Sequence, residues 1–221
     1  SRGLGDVYKR QLMTRDEWNA ALIARHGADL HEKFSSATVA VCGLGGLGSN
    51  IAVSLARAGV GKLILIDFDR VDISNLNRQQ YKAAQIGMPK PEALRDNLFA
   101  IAPFLKADLH TVRMTEENAV RLVREADVVC EAFDDAQAKA MLVNCICETL
   151  PKTYLVAASG MAGLASPNAI QTRKLGQRFY LCGDGVSDVR SGLGLVAPRV
   201  MLCAAHQALT VLRILAGEHE V

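Results

Sequence analysis

Residues 38–48, with the sequence TVAVCGLGGLG, decide the fold of this chain. Residues 38–42 are apolar and rich in β-branched side chains, which is typical of a buried strand in a parallel sheet. Residues 43–48 then hold four glycines, residues 49–58 have helical character, and residues 62–67 form a second apolar run. The pattern predicts a strand–helix–strand unit of about 30 residues with a glycine turn after its first strand.

The alternation of strands and helices continues to residue 158 and then stops. The expected elements after residue 67 are a helix at 89–101, a strand at 107–112, a helix at 116–125, a strand at 126–132, a helix at 135–150, strands at 153–158, 168–174 and 178–182, and a helix at 197–216. One or two amphipathic helices are expected within residues 16–34. We therefore expect an α/β, Rossmann-like, doubly wound sheet, mostly parallel and extended by antiparallel strands in the C-terminal third.

Composition and charge argue against some classes of function. The chain has 221 residues, 50% of them hydrophobic, and a formal net charge of +2 without any charge run, so we expect neither a nucleic-acid nor a membrane partner. We find no apolar stretch of about 18 residues and expect no transmembrane helix. The six cysteines include no C-x-x-C pair, so we expect reduced thiols in a cytoplasmic protein and no zinc. Residues 1–12 lack periodicity, and we expect a non-native leader there and a single domain at 13–221.

The glycine turn also predicts a ligand. Gly43, Gly45, Gly46 and Gly48 would let backbone N–H groups approach a phosphate at the start of a helix. Asp67 ends the next strand, 19 residues after Gly48, where an acid would hold ribose hydroxyls. The pattern indicates a nucleotide with a ribose but does not separate NAD from ATP. A tight strand–helix turn without a ligand is the alternative.

The loop after Asp67 favours a triphosphate over NAD. It contains Asn77 and Arg78, and Lys90 follows at the start of the next helix. A dehydrogenase needs no cation there, whereas a leaving pyrophosphate carries most of the charge that develops in the transition state. A solvated polar loop is the alternative interpretation of these residues.

Acidic residues follow the strand at 126–132, in the sequence EAFDD. Ligands of an open parallel sheet bind beyond the carboxyl ends of its strands. Mg²⁺ accepts one carboxylate together with phosphate and water oxygens. Asp134 and Asp135 are therefore candidates for the nucleotide site, and we assign Asp134 to Mg²⁺ and Asp135 to the N-cap of the next helix.

These motifs together resemble those of the ThiF/MoeB/HesA-type activating enzymes. The matching features are the glycine motif, the sequence DFDRVDISNLNRQ at residues 67–79, the pair Pro89 and Lys90, and Asp134. The resemblance covers residues 25–217, nearly all of the chain. Segments 157–163 (AASGMAG) and 179–185 (FYLCGDG) are most similar to the short ThiF-type members that act in thiamine biosynthesis.

The resemblance implies a reaction and a set of site residues. With ATP and Mg²⁺, the enzyme would adenylylate the C-terminal carboxylate of a small ubiquitin-like carrier protein ending in Gly-Gly, and a sulfur donor protein would then act on the adenylate. The implied nucleotide ligands are the four glycines, Asp67, Asp69, Ser74, Asn75, Asn77, Arg78, Lys90, Asp134 and Asp135. Arg25, Arg78, Lys90 and Asp134 are implied as catalytic. In that family an arginine from the region of Arg25 reaches the other subunit's phosphates, so we expect a two-fold homodimer.

Two departures from the family pattern bear on the sulfur-transfer step. The two C-x-x-C pairs of zinc-binding members are absent, and residues 183–194 lack the crossover-loop cysteine of many members. Cys182, at the edge of that stretch, is either a core cysteine at a strand end or a reactive thiol.

Several functions compete for this sequence. The carrier is either of the thiamine type or of the molybdopterin-synthase type. A tRNA-directed dehydratase of the same fold is disfavoured by the near-neutral charge. An NAD-dependent oxidoreductase is supported only by the glycine motif and Asp67. A nucleotide-binding sensor without chemistry would have no need of Arg78, Lys90 and Asp134.

Overall fold

The computed structural model describes residues 13–221, and the leader expected at residues 1–12 lies outside them. The strands are β1 Thr38–Cys42, β2 Lys62–Ile66, β3 Lys106–His110, β4 Val128–Glu131, β5 Tyr154–Ala158, β6 Gln171–Lys174 and β7 Phe179–Gly183. The helices are α1 Arg15–His26, α2 Ala28–Ser36, α3 Gly46–Ala58, α4 Lys90–Ile101, α5 Glu116–Val123, α6 Ala136–Thr149 and α7 Ala197–Ala216. Each predicted element is present, with ends that differ by a few residues.

All seven strands belong to one sheet with the order β3-β2-β1-β4-β5-β7-β6. The two strands of the C-terminal third pair antiparallel with each other, as expected. β7 pairs parallel with β5, and only β6, at the edge, runs antiparallel to its neighbour. After β5 the chain first forms the edge strand β6. It then returns by a hairpin that places β7 between β6 and β5.

The alternating side chains of β1 pack into two separate cores. Val39 and Val41 belong to the cluster formed with α3, α4 and α7, whereas Ala40 and Cys42 belong to the cluster formed with α5 and α6. Successive side chains of a strand point to opposite faces. A strand covered by helices on both faces must therefore be apolar throughout, which explains the unbroken apolar run of residues 38–42.

α7 bears on the expectation that the chain has no transmembrane helix. It has 20 residues and a window of mean hydropathy 1.3, so by length and composition it could cross a membrane. Half of that window is buried inside the protein, and Val200, Cys203 and Val211 are fully packed on α3 and the sheet. A long core helix passes the same test of length and composition, so the apolar character of α7 is accounted for by this packing.

Candidate nucleotide site

The candidate site lies at the carboxyl ends of the central strands. The glycine turn follows β1, Asp67 follows β2 and Asp134 follows β4. β1 has β2 on one side and β4 on the other, so the direction in which the chain adds strands reverses at β1. Ligands of open α/β sheets bind in the crevice at such a switch point. The tertiary structure thus brings together three sequence signals that are up to 91 residues apart.

Three glycines of the turn, Gly43, Gly45 and Gly48, have different roles. Gly43 has φ +90°, and a Cβ there would lie 2.7 Å from the carbonyl oxygen of Ala132. A Cβ on Gly48 would lie 1.8 Å from the carbonyl oxygen of Gly43. The same atom on Gly45 would meet only the Gln79 amide, at 3.7 Å. Gly43 and Gly48 are therefore required by the turn itself, while the open side of Gly45 leaves the N-terminus of α3 accessible to a ligand.

The amino end of α3 has the character of an anion site. The first N–H groups of a helix have no partner within it, and the helix dipole adds partial positive charge. Gln79 lies beside Gly45, is 8% exposed, and its Oε1 has no hydrogen-bond partner within residues 13–221. A buried amide oxygen without a partner is costly. The set of backbone donors and this free acceptor fits a polar ligand such as a nucleotide.

Asp67 is buried and fixed to the glycine turn. Its Oδ2 accepts a hydrogen bond of 2.7 Å from the Leu44 N–H, and its Oδ1 accepts one of 2.8 Å from the Asp69 N–H. Lys90 Nζ lies 2.9 Å from Asp69 Oδ2 and 3.8 Å from Asp67 Oδ2. Lys90 is only 6% exposed, so a cation and two carboxylates are held next to the turn. The expected proximity of Lys90 to the ribose acid is present.

Ser74 and Asn75 build the loop that carries Arg78. The Ser74 N–H and hydroxyl both donate to Asp72 Oδ1, and Asn75 Oδ1 accepts from the Asp72 N–H. These bonds form a capping box around a short 3₁₀ turn, Ile73–Asn75. Arg78 Nη1 donates to Asn77 Oδ1 at 2.7 Å. The side chains of Ser74 and Asn75 are thus engaged locally, and their direct contact with phosphate stays a prediction.

Sequence reasoning missed a network of amides that holds this loop in place. Asn50 Nδ2 donates to the carbonyls of Gly46 and Arg78, and its Oδ1 accepts from Gln80 Nε2. The Tyr81 hydroxyl donates to the Leu44 carbonyl at 2.8 Å. These bonds fix Arg78 and the glycine turn at a set separation. Apart from the Asn50–Gly46 bond, the partners lie 28 to 37 residues apart, so no local pattern could reveal the network.

The two aspartates of the turn after β4 have different roles. Asp135 Oδ1 accepts a 2.8 Å hydrogen bond from the Ala138 N–H, which confirms it as the N-cap of α6. Asp134 is exposed and makes no hydrogen bond or ion pair within residues 13–221. In the same described range, no three His, Cys, Asp or Glu residues cluster as metal ligands. A single free carboxylate is nevertheless suited to Mg²⁺ that is bound mainly by phosphates.

An ion pair between the buried Glu131 and the partly exposed Lys139 fixes the turn that presents Asp134. Lys139 Nζ lies 3.0 Å from both carboxylate oxygens of Glu131 and donates to the Ala158 carbonyl. Glu131 Oε1 also accepts from the Phe133 N–H at 2.7 Å. Burial raises the pKa of Glu131, and the Lys139 ammonium opposes that shift. The sequence pointed to the exposed acids of EAFDD and missed this buried one.

The comparison with protein families now decides the identity of the fold. The model of the ThiF family matches residues 18–221. The chain belongs to the ThiF family. The resemblance inferred from the motifs and the expected fold class are thereby confirmed.

Curated relatives match parts of this ThiF-family chain. The sulfur carrier protein adenylyltransferase of Thermus thermophilus is 34% identical over 140 residues, which are 63% of this chain and 48% of the relative. The probable adenylyltransferase/sulfurtransferase MoeZ of Mycobacterium tuberculosis is 38% identical over 130 residues, 58% of this chain and 33% of the relative. The adenylyltransferase and sulfurtransferase UBA4 of Lodderomyces elongisporus is 29% identical over 194 residues, which are 85% of this chain and 42% of the relative. The chain therefore spans less than half the length of these relatives.

A solved structure shares the whole fold. The E. coli tRNA N6-threonylcarbamoyladenosine dehydratase TcdA, in complex with ATP, superposes with a TM-score of 0.84 at 21% identity. The match covers 94% of this chain and 98% of the dehydratase. At that identity the likeness establishes the architecture of this ThiF-family protein alone.

Cys182 lies in the core of the ThiF-family domain. It is fully buried in β7, near the Thr172 hydroxyl at 3.5 Å and the Thr210 hydroxyl at 3.9 Å. Burial raises the pKa of its thiol, and the two hydroxyl contacts oppose that shift. A nucleophile requires an accessible thiolate. The structure therefore favours a core cysteine over a reactive thiol at this position.

Brief alkylation should separate the cysteines by exposure. We expect iodoacetamide to label Cys147, which is exposed, and to leave Cys182 unlabelled until the protein is unfolded. Peptide mass spectrometry with and without denaturant measures this, and a Cys147→Ser variant controls for background labelling. Rapid native labelling of Cys182, or loss of a covalent carrier adduct in Cys182→Ser, would reinstate the thiol role.

Arg25 is not near the glycine turn of its own chain. It is exposed in the last turn of α1, and Leu22 of α1 contacts Gly59, which follows the C-terminal end of α3. α3 has 13 residues, so about 20 Å separates Gly59 from the amino end of that helix. Any role of Arg25 at a nucleotide site therefore requires another subunit.

A buried ion pair, which the sequence did not reveal, anchors the segment before α7. Arg199 Nη2 donates to Asp184 Oδ2 at 2.6 Å, with both side chains about 5% exposed. Asp184 Oδ1 accepts from the N–H groups of Val186 and Ser187. Burial alone would raise the pKa of Asp184, but these hydrogen bonds and Arg199 outweigh it and lower the pKa from 3.8 to about 2.

Arg199→Met should lower the melting temperature by about 10 °C, because loss of one partner of a buried pair costs about 3–5 kcal/mol. Arg190→Met is the matched control, since the Arg190 side chain is 80% exposed in its pair with Asp188. Because the pKa of Asp184 is lowered, its stabilisation is complete above pH 3.8 and lost as the pH falls through about 2. Equal melting temperatures of the two variants would show that the pair does not anchor the segment.

Proposed function

We propose that this ThiF-family protein adenylylates the C-terminal glycine carboxylate of a small ubiquitin-like sulfur carrier, of the type that serves thiamine thiazole biosynthesis. The observation that carries the proposal is the placement of Lys90 and Arg78 around an open helix N-terminus. Lys90 is held beside the turn by Asp69 at 2.9 Å, and the backbone of Arg78 is tied to α3 through Asn50. Cations and backbone donors in one crevice suit a triphosphate, which NAD lacks.

The proposed chemistry is an exchange at the α-phosphorus of ATP. A carboxylate oxygen of the carrier forms a bond to the α-phosphorus, and the bond from that phosphorus to the bridging oxygen breaks. Pyrophosphate leaves and an acyl-adenylate remains. The protein contributes position and charge, since the carboxylate itself is the nucleophile. Asp67 would orient the ribose, and Arg78 and Lys90 would stabilise charge on the departing phosphates.

Pyrophosphate exchange tests the proposal directly. The protein should incorporate labelled pyrophosphate into ATP only when a carrier ending in Gly-Gly is present. The same carrier without its last glycine is the control. Exchange should be faster with the thiamine-type than with the molybdopterin-synthase-type carrier. Absence of exchange with every carrier would refute carrier adenylation.

A tRNA-directed dehydratase is the second candidate function. The observation that favours it is the superposition on TcdA, which covers 98% of that protein. ATP hydrolysis stimulated by tRNA, without carrier-dependent exchange, would select this candidate. The near-neutral charge of the chain supports the carrier instead, because RNA binding leaves a basic footprint.

Magnesium should bind through Asp134. Mg²⁺, when bound, would neutralise phosphate charge, and the Glu131–Lys139 pair would keep Asp134 directed at the crevice. Asp134→Asn should raise the Mg²⁺ concentration for half-maximal exchange by about tenfold or more. Asp135→Asn is the control, because Asn caps a helix as well as Asp does. An unchanged Mg²⁺ titration in Asp134→Asn would remove the metal assignment.

A cytoplasmic homodimer is part of the same proposal. A sulfur donor protein would act after adenylation, on the carrier rather than on Cys182. Support for a dimer comes from α7, where Met201 and Leu209 are 46% and 60% exposed on the outer face. Contiguous exposed apolar side chains often mark an interface.

A further inference from the structure

A cavity of about 210 Å³ lies at the amino ends of β1, β2 and β3, opposite the glycine turn. α1 and α2 cover it, and the aromatic rings of Trp18 and Phe104 form part of its wall. A cavity of about 150 Å³ accommodates benzene in a protein core. The volume here is therefore sufficient for one aromatic ring with one small polar substituent.

The charges around this cavity are of one sign. Arg15, Lys62 and Lys106 line it, whereas its lining within residues 13–221 includes no Asp or Glu. The guanidinium of Arg15 lies 5.0 Å from the ring centroid of Phe104. Lys62 pairs with Glu125 at 3.0 Å, a residue outside the lining. The remaining cations would attract an anionic substituent.

His31 supplies a polar group without a partner. It lines the cavity, is 8% exposed, and its Nδ1 makes no hydrogen bond in the part of the chain that the structure describes. Leaving a buried polar nitrogen unsatisfied costs stability. That nitrogen has almost no accessible surface, so a ligand in the cavity would reach it only after the imidazole turns, and the polar requirement of the site comes from the cations.

We infer that this cavity binds a small monocyclic aromatic carboxylate. Its ring would pack on Trp18 and Phe104, and its carboxylate would face Lys106 and Arg15. α3, with 13 residues, separates the cavity from the glycine turn by about 20 Å, so the site is distinct from the nucleotide site. The inference holds whichever reaction the nucleotide site performs.

The chain offers a specific reporter, because Trp18 is its only tryptophan. Benzoate is added to the protein while Trp18 emission is recorded, with N-acetyltryptophanamide correcting for collisional quenching. Benzyl alcohol tests a ring without charge, and inorganic phosphate tests an anion without a ring. We expect a saturable change with benzoate and a much weaker one with either control compound.

Lys106→Gln should weaken benzoate binding by about three- to fivefold, the size of one partly exposed charge contact. Lys152→Gln, a lysine outside the lining of this cavity, is the matched control and should bind like wild type. Phe104→Leu tests the aromatic wall and should weaken binding while the melting curve shows a folded protein. No saturable change with benzoate, or equal binding of benzyl alcohol, would overturn the inference.

Discussion

Lys90→Ala and Arg78→Ala should each lower carrier-dependent pyrophosphate exchange by about 10²-fold or more, the effect of removing one preorganised charge donor. Lys90 is buried at the glycine turn against two carboxylates, so its removal also leaves Asp67 and Asp69 without their cation. Arg78 is positioned by Asn77 and by the backbone contact to Asn50. Both variants should reduce the maximal rate, because the charge they stabilise develops in the transition state.

Lys82→Ala is the matched control for this experiment. Lys82 lies in the same loop between β2 and α4 but is exposed and forms no ion pair in the described part of the chain. Its exchange rate should equal that of wild type. Undiminished exchange in both Lys90→Ala and Arg78→Ala would remove the phosphate-binding interpretation, and a decrease of the same size in Lys82→Ala would show that the loop responds nonspecifically.

Mixing two inactive variants should restore exchange if Arg25 acts across a dimer. Arg25→Ala and Arg78→Ala homodimers should each be nearly inactive. In a mixed dimer, one site receives Arg78 from the first chain and Arg25 from the second, so random mixing should recover about a quarter of wild-type activity. The physical basis is that of an arginine finger, a fork-shaped cation that completes the site only on assembly.

The double variant Arg25→Ala/Arg78→Ala supplies the matched control. Its mixed dimers with wild type should have no intact site if Arg25 acts in trans, and one intact site if it acts in cis. The structure favours the first result, because α1 packs at the far end of α3 from the glycine turn. No recovery on mixing the single variants, or a fully active monomer in sedimentation, would contradict the assembly.

Much of the fold could be predicted because its patterns are local. β1 and α7 have the predicted ends, since an apolar β-branched run and a long apolar helix are each recognisable from neighbouring residues. α3 begins three residues before the predicted start, at Gly46 instead of residue 49, because the last glycines of the turn already have helical geometry. The parallel pairing of β7 with β5 could not be predicted, because strand pairing depends on where the chain returns to the sheet.

The residues of the candidate site likewise include some that the sequence identified and some that only the packing revealed. The glycine motif, Asp67 and the cation-bearing loop were identifiable because each occupies a short segment at a strand end. Lys139 and Arg199 were not, since each finds its acid only after helix and sheet have packed. The burial of Cys182 was also undecided, because a strand-end cysteine can face a core or a cleft with the same neighbours in sequence.

The sequence by itself determined the order of elements, the glycine turn and the family, because these depend on periodicity, backbone freedom at glycine and residues close in the chain. Only the tertiary structure decided which polar groups are buried together. It pairs Lys90 with two carboxylates, leaves Gln79 Oε1 and His31 Nδ1 without partners in the described residues, and separates Arg25 from its own chain's site. The physical reason is that burial and pairing depend on the packing of segments distant in sequence, and burial sets the free energy of every polar group it encloses.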